Sequence, residues 1–227
     1  WEVTREQQDR FAERSYNRAL NASAAGVFKT QIVPVPIPRR KGEPVIFDTD
    51  ECPAETSYET LSAMRPAFKK DGVGTAGNAS IISDGGAAVV LMSEEKAAEL
   101  GCQIMARVGA QASHGIELKY VLMAPIYAIP KVLKKEGISI EDIDLFEINE
   151  AFSGSTLAAL RELNLNPENV NVNGGAVSLG HPIGATGARI LTTLIHTLIQ
   201  EKKRYGCASI CIGGGEACAV VVENVTL

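Results

Sequence analysis

Three short stretches of this sequence hold residue types that could do chemistry, and each falls where an apolar run ends. The first is Asn149-Glu150-Ala151-Phe152, which follows the run Asp144 to Ile148 and opens a helical pattern. The carboxyl ends of strands in α/β sheets are where ligands bind, so Asn149 is a candidate polar group at such an edge. Asparagine is also a favoured helix cap, and the two readings are compatible. The second stretch runs from Asn171 to Arg189, a glycine-rich segment with His181 held between Gly180 and Pro182 just before a long helical pattern. Glycine allows close backbone approach or positive φ, and proline restricts the residue before it, so the imidazole is presented on a rigid backbone. An acid/base or an oxyanion donor requires that rigidity; a lone loop histidine is otherwise a structural residue. A dinucleotide-binding fingerprint fails on spacing. Gly180, Gly184 and Gly187 do not make G-x-G-x-x-G, and no acidic residue ends the next strand. The third stretch is Cys211-Ile212-Gly213-Gly214-Gly215. A cysteine ending a buried strand is commonly a small inert core residue, but the glycine triplet after it exposes backbone N–H groups, the material of an oxyanion hole. Cys207 and Cys218 lack that context and read as core.

The elements that must position these residues follow from composition and periodicity. The chain is 45% hydrophobic and 22% charged, which excludes disordered and collagen-like classes. Its net charge is −5 with Lys and Arg dispersed, so no basic footprint for nucleic acid is present. No apolar run approaches the ~18 residues of a membrane span. Cys52, Cys102, Cys207, Cys211 and Cys218 form no C-x-x-C pair and no zinc spacing, so neither a metal site nor a disulfide framework is expected. That cysteine usage suits a reducing compartment, and a cytoplasmic location is expected, with an organelle lumen as the alternative.

Thr4 with Gln7 makes a capping-box pattern for a first helix that Gly26 would stop. Proline at every second position from Pro34 to Pro38, in the stretch Gln31 to Pro38, predicts edge strand or irregular chain. A short helix is predicted over Ser57 to Met64 and loop over Lys69 to Ser80. Ala87 to Met92 reads as a buried strand, and Ser93-Glu94-Glu95 as the start of a helix ending near Gly101. Beyond it the pattern predicts strands over Ile104 to Val108, Asp144 to Ile148 and Val170 to Asn173. Helices are predicted over Ile129 to Glu136, Phe152 to Leu163 and Ala185 to Glu201. Two strands, Ala208 to Ile212 and Ala217 to Val222, close the chain as an antiparallel hairpin. The alternation predicts an α/β sandwich with a mostly parallel sheet.

Asn-Glu-Ala-Phe, Gly-His-Pro-Ile-Gly-Ala-Thr-Gly-Ala-Arg and Cys-Ile-Gly-Gly-Gly, in this order and spacing, closely resemble the motifs of the thiolases (acetyl-CoA C-acyltransferases). The resemblance extends along the chain through Arg5-Glu-Gln-Gln-Asp9, Ile32-Val-Pro-Val35, Arg65-Pro-Ala-Phe68 and Thr75-Ala-Gly-Asn-Ala-Ser80. The asparagine form of the first motif resembles acetoacetyl-CoA and 3-ketoacyl-CoA thiolases. Ketoacyl synthases, which share the fold, usually place a second histidine there.

The resemblance implies a layered α/β/α/β/α fold with mixed sheets, of which this chain holds one complete core half and a loop domain. Residues 1–82 would be part of the loop domain on the coenzyme A side. Residues 83–101 would be the last strand and helix of the N-terminal core domain, and residues 102–227 the C-terminal core domain. It also implies roles. Cys211 would be the acid/base cysteine, taking an α-proton from acetyl-CoA or protonating the leaving CoA thiolate; the base form requires its pKa to fall, which the Gly-rich turn and strand ends are expected to provide. His181 would donate to the thioester oxygen, Asn149 would hold a water in the same hole, and the Gly213 N–H would serve a second hole. Glu150 would orient Asn149 or that water. Ala67, Phe68, Ala76 and Ser80 would line the pantetheine tunnel, closed by Ala151 and Phe152. Core packing is the alternative for both phenylalanines.

Ala124-Pro125, Ile81 and Glu216 depart from the family pattern on the substrate-side wall, and at Pro53 the sequence lacks the arginine that some members use near the adenine. Family members carry a nucleophilic cysteine in a Cys-Ser-Gly-like stretch that this sequence lacks; Cys52, in Asp-Glu-Cys-Pro, cannot be that residue by position. The implied function is reversible Claisen condensation of two acetyl-CoA, or thiolysis of 3-ketoacyl-CoA, through an acyl-cysteine. The nucleophile would lie on an N-terminal thiolase segment beside this one. Coenzyme A is implied as substrate, no tightly bound cofactor is expected, and a homodimer or homotetramer is implied. The alternatives are a ketoacyl synthase-like condensing enzyme and a non-catalytic CoA-binding subunit.

Overall fold

A computed structural model describes residues 1–227. Helix α1 (Arg5–Ala24) starts on Thr4, whose side chain accepts from the Gln7 backbone while the Gln7 side chain accepts from the Thr4 N–H; its Phe11, Ala12, Ala19 and Ala22 are buried. Gly26 follows in the left-handed region, φ 73°. The proline-spaced segment makes only the short antiparallel pair β1 (Val35–Ile37) and β2 (Val45–Phe47), exposed around the basic turn. Ser57 caps helix α2 (Tyr58–Ser62), and Ser93 caps α3 (Glu94–Leu100), which ends on left-handed Gly101.

Between α2 and α3 the structure corrects the sequence expectation. Ala87 to Met92 forms no strand; Val90 is 83% exposed and Leu91 71%. A strand exists only by pairing its backbone with a neighbour, and no segment of this chain offers this run a ladder.

The rest builds one four-stranded sheet from β3 (Ala106–Gly115), β4 (Leu145–Ile148), β5 (Tyr205–Ile212) and β6 (Glu216–Asn224), in the order β3-β6-β5-β4. Strands β3, β4 and β5 run in one direction, as expected of a mostly parallel sheet. However, β6 inserts antiparallel between β3 and β5, so β4–β5 is the one adjacent parallel pair and the sheet is mixed, not mostly parallel as the sequence predicted. Strand β3 extends seven residues beyond its predicted end because β6 pairs with it as far as Gly115, with a register shift between Val108 and Gln111. Val170 to Asn173 makes a single parallel bridge from Val170 to Phe146 instead of the expected strand; Asn171 and Gly174 at once turn the chain away, with φ 49° and 83°.

One sheet face carries α4 (Pro125–Glu136) and α5 (Ser153–Glu162), packed through Ile129, Val132, Phe146, Ile148, Leu160 and Val221. Helix α4 begins four residues before its predicted start, since Pro125 suits the first helical turn. The other face carries α7 (Thr186–Gln200), through Leu145, Ile190, Leu194, Leu198, Ala208 and Val222. A one-turn helix, α6 (Ala176–Leu179), lies against α1. No helix is long and apolar enough to cross a membrane.

Candidate active site

The carboxyl ends of β4 and β5 lie side by side, and the Asn149 N–H prolongs their pairing by donating to the Ser209 carbonyl at 2.9 Å. Asn149 does not cap the helix that follows it, because α5 begins at Ser153 with Phe152 in the cap position. Its buried amide instead faces across to the glycine-rich loop, where Nδ2 stands 3.4 Å from His181 Nε2. Oδ1 is buried and finds no donor within the chain.

His181 is fixed from three sides. Its backbone N–H donates to the Ile81 carbonyl at 2.8 Å, its Nδ1 lies 2.7 Å from Thr186 Oγ1, and Nε2 faces Asn149. The preceding Gly180 has φ 94°, and a Cβ there would stand 2.3 Å from Ser83 Oγ, so a side chain is doubly excluded. Burial, and then the Arg189 guanidinium, hold the imidazole pKa below its ordinary value, which favours the neutral ring.

Glu150 does something other than orient Asn149. Its buried carboxylate accepts from Ser15 Oγ at 2.7 Å, Asn171 Nδ2 at 2.9 Å and the Val177 N–H at 3.1 Å. It therefore ties α1 to the loop that carries His181. Gly175 lies so close that a Cβ would meet the Glu150 carboxyl carbon at 2.2 Å. Sequence reasoning missed this role because every partner but the helix pattern around it is remote along the chain.

Cys211 sits one residue before the end of β5 and is half-buried. It lies on the strand beside the one that Asn149 ends, and no hydrogen bond joins it to Asn149 or His181. Its thiol pKa is not lowered as expected. Burial pushes it up, and only its own backbone hydrogen bonding opposes that, because no cation stands beside it to favour the thiolate. Gly213 lies exposed on the β5–β6 turn. Cys207 is fully buried and pushed up to about 12, as suits a core thiol.

The tunnel candidates are brought together in part. Ser80 donates its N–H to the Ala151 carbonyl at 3.1 Å, and Ser153 donates to the Asn78 carbonyl at 2.9 Å. The 73–80 loop is thereby laid along the start of α5. Phe68 and Phe152 meet edge-to-face with centroids 5.7 Å apart, although Phe68 remains 74% exposed. Ala67 is tied to Gly74, and Ala76 is exposed. The loop itself is anchored by Asn78, which donates to Asp9, and Asp9 in turn pairs with Arg5 at 2.6 Å.

A second buried pair, unread in the sequence, joins β4 to α7. Glu147 lies 3.6 Å from Arg189, and burial pushes its carboxyl pKa up to about 8 against the opposing pull of Arg189.

Comparison with known proteins defines the class. The family described as "Thiolase, N-terminal domain" matches residues 1–95, and "Thiolase, C-terminal domain" matches residues 102–224. A "Probable acetyl-CoA acyltransferase" of Staphylococcus aureus is 52% identical over 223 residues, which cover 98% of this chain and 56% of that protein. Among solved structures, an acetyl-CoA acetyltransferase of Bacillus anthracis superposes with a TM-score of 0.96 at 49% identity, over 99% of this chain and 57% of that one. Human mitochondrial 3-ketoacyl-CoA thiolase superposes with a TM-score of 0.92 at 35% identity, over 99% of this chain and 56% of that one. The chain belongs to the thiolase family and has its α/β fold with a mixed sheet. It spans about half the length of the curated relatives it matches.

Proposed function

We propose that this chain supplies the Asn149–His181 pair and the acid/base cysteine, Cys211, of a thiolase-type acyltransferase. The enzyme would condense two acetyl-CoA or cleave a 3-ketoacyl-CoA. The observation that carries the reading is the pair itself: a half-buried imidazole, its pKa lowered by burial, held 3.4 Å from a buried asparagine whose Oδ1 is unpartnered. A water held by that oxygen and a proton on His181 Nε2 make a two-donor hole for a thioester oxygen. Charge developing on that oxygen as an enolate forms is what such donors stabilise. The raised thiol pKa of Cys211 makes its resting form the acid, ready to protonate a leaving thiolate and then to act as base in the reverse sense.

The acyl group would be carried by a cysteine on a further thiolase segment, so the reaction is ping-pong. The exposed apolar run at Val89, Val90 and Leu91 supports such a segment packing beside this chain. Coenzyme A enters as substrate along the 67–80 loop, with Phe68 and Phe152 as apolar walls and Ser80 as a polar anchor.

The test is Cys211→Ser in the complete enzyme that includes this chain. Acylation by acetyl-CoA should persist on the other cysteine, while exchange of the acetyl α-protons and condensation fall by ~10²–10⁴. Parental condensation in that variant returns Cys211 to core packing.

A further inference from the structure

We propose that Thr186 is a positioning residue for His181: its hydroxyl sets which imidazole nitrogen carries the ring proton, and so whether His181 can donate to an acyl oxygen. This rests on the role given to His181 above. Thr186 is fully buried, and its Oγ1 lies 2.7 Å from His181 Nδ1 and 3.0 Å from the Pro182 carbonyl. A hydroxyl has one hydrogen, so it donates to only one of the two. The Pro182 carbonyl does not depend on it, because it already receives the N–H groups of Ala185 at 2.7 Å and Thr186 at 2.9 Å. His181 Nδ1 has no partner but the hydroxyl.

Asn149 Nδ2 stands 3.4 Å from His181 Nε2. An amide nitrogen only donates, so with the amide in this orientation Nε2 offers its lone pair. The ring proton then sits on Nδ1 and is donated to Thr186, whose own hydrogen goes to Pro182. All donors in this line point one way, from Asn149 to the carbonyl, and His181 has nothing to give a substrate from Nε2.

An acyl oxygen arriving beside Nε2 is an acceptor and demands the reverse. The ring must then carry its proton on Nε2 in place of Nδ1, one proton lost and one gained by exchange with solvent, with no change of charge. The Thr186 hydroxyl turns from Pro182 to donate to Nδ1, and Asn149 rotates away from Nε2. Thr186 is the one group that can accept from Nδ1 in the first arrangement and donate to it in the second. Burial lowers the imidazole pKa and favours the neutral ring; a neutral ring presents one proton, and the choice of nitrogen decides its function.

The experiment compares Thr186→Val, which keeps the shape and deletes the hydroxyl, with Thr186→Ser, which keeps the hydroxyl, in the complete enzyme. Thr186→Ala stands in should the valine variant fail to fold. Thr186→Val is expected to lower kcat about tenfold, the order of one hydrogen bond, with KM nearly unchanged. Thr186→Ser should restore kcat. In ¹⁵N-histidine-labelled protein, the His181 nitrogens should show one defined tautomer in the parent and Thr186→Ser, and averaged shifts in Thr186→Val. A parental kcat in Thr186→Val, or a serine variant as impaired as the valine one, overturns the proposal. His181→Ala separates the two levels. If it is crippled while Thr186→Val is not, only the proposal for Thr186 fails; if it is itself unimpaired, the reading of His181 falls as well.

Discussion

Replacing Glu150 by glutamine should weaken the fold and slow the site together, and the geometry says by how much. Oε2 receives Ser15 and Val177, and Oε1 receives Asn171 Nδ2. A glutamine best keeps its oxygen at the Oε2 position, where it retains two donors, and its new NH₂ then faces Asn171 Nδ2. Asn171 cannot turn to relieve this, because its own Oδ1 and Nδ2 are both engaged with the Ile148 backbone at 2.8 Å. One hydrogen bond becomes a buried donor–donor contact, a loss of about 1–3 kcal/mol. Alanine would orphan all three donors and leave a void, a loss several times larger and comparable with the roughly 5–15 kcal/mol that holds a domain together. For glutamine, a loss of about 2 kcal/mol corresponds to a melting midpoint lower by about 4–8 °C if the part that melts together is of this chain's size, and by less if a larger part does. The assay is thermal unfolding of the complete enzyme with kcat measured well below the transition. Because Glu150 anchors the loop that delivers His181, kcat should fall while Asn149 and His181 remain intact. A midpoint within about 1 °C of the parent for Glu150→Gln would refute the network as an energetic element.

Glu147 holds a proton in the fold that the unfolded chain releases above its ordinary value of 4.5, since burial lifts it to about 8. That contribution is therefore fully present below about pH 4.5 and is lost as pH rises through about 8. Glu147→Gln should flatten the fall of the melting midpoint over that window, and parallel curves for parent and variant would sink the assignment. His181→Ala should cut kcat more than binding, with a smaller effect for Asn149→Ala, whose proposed role is through a water; steady-state kinetics in which only KM rises would exclude the oxyanion role. Residues 1–227 produced alone should aggregate around the exposed run at Val90 and Leu91 and transfer no acetyl group from acetyl-CoA. A soluble, active fragment would overturn the roles assigned.

Some of this molecule is written in near neighbours along the chain. The capping box at Thr4 and Gln7, the serine caps at Ser57 and Ser93, the stops at Gly26 and Gly101, and helix α7 depend on residues within a turn or two of one another, so spacing alone reveals them. The Gly213–Gly215 turn between β5 and β6 is legible for the same reason. The candidate residues Asn149, His181 and Cys211 stand out as residue types at the ends of apolar runs. What their side chains do was not legible. Asn149 reads equally well as a cap until α5 is seen to start four residues later. Glu150 takes its meaning from Ser15, 135 residues away, and the pKa of Cys211 from burial that no local pattern encodes. Ala87 to Met92 and Val170 to Asn173 show the same division in the backbone. The first has the apolar composition of a strand and the second its alternation, but a strand's hydrogen bonds lie across to another segment, so only the assembled chain decides whether a ladder forms. Helices and caps satisfy their polar groups within a few residues; strands, buried carboxylates and a paired histidine satisfy theirs across the fold, and tertiary structure alone assigns them partners.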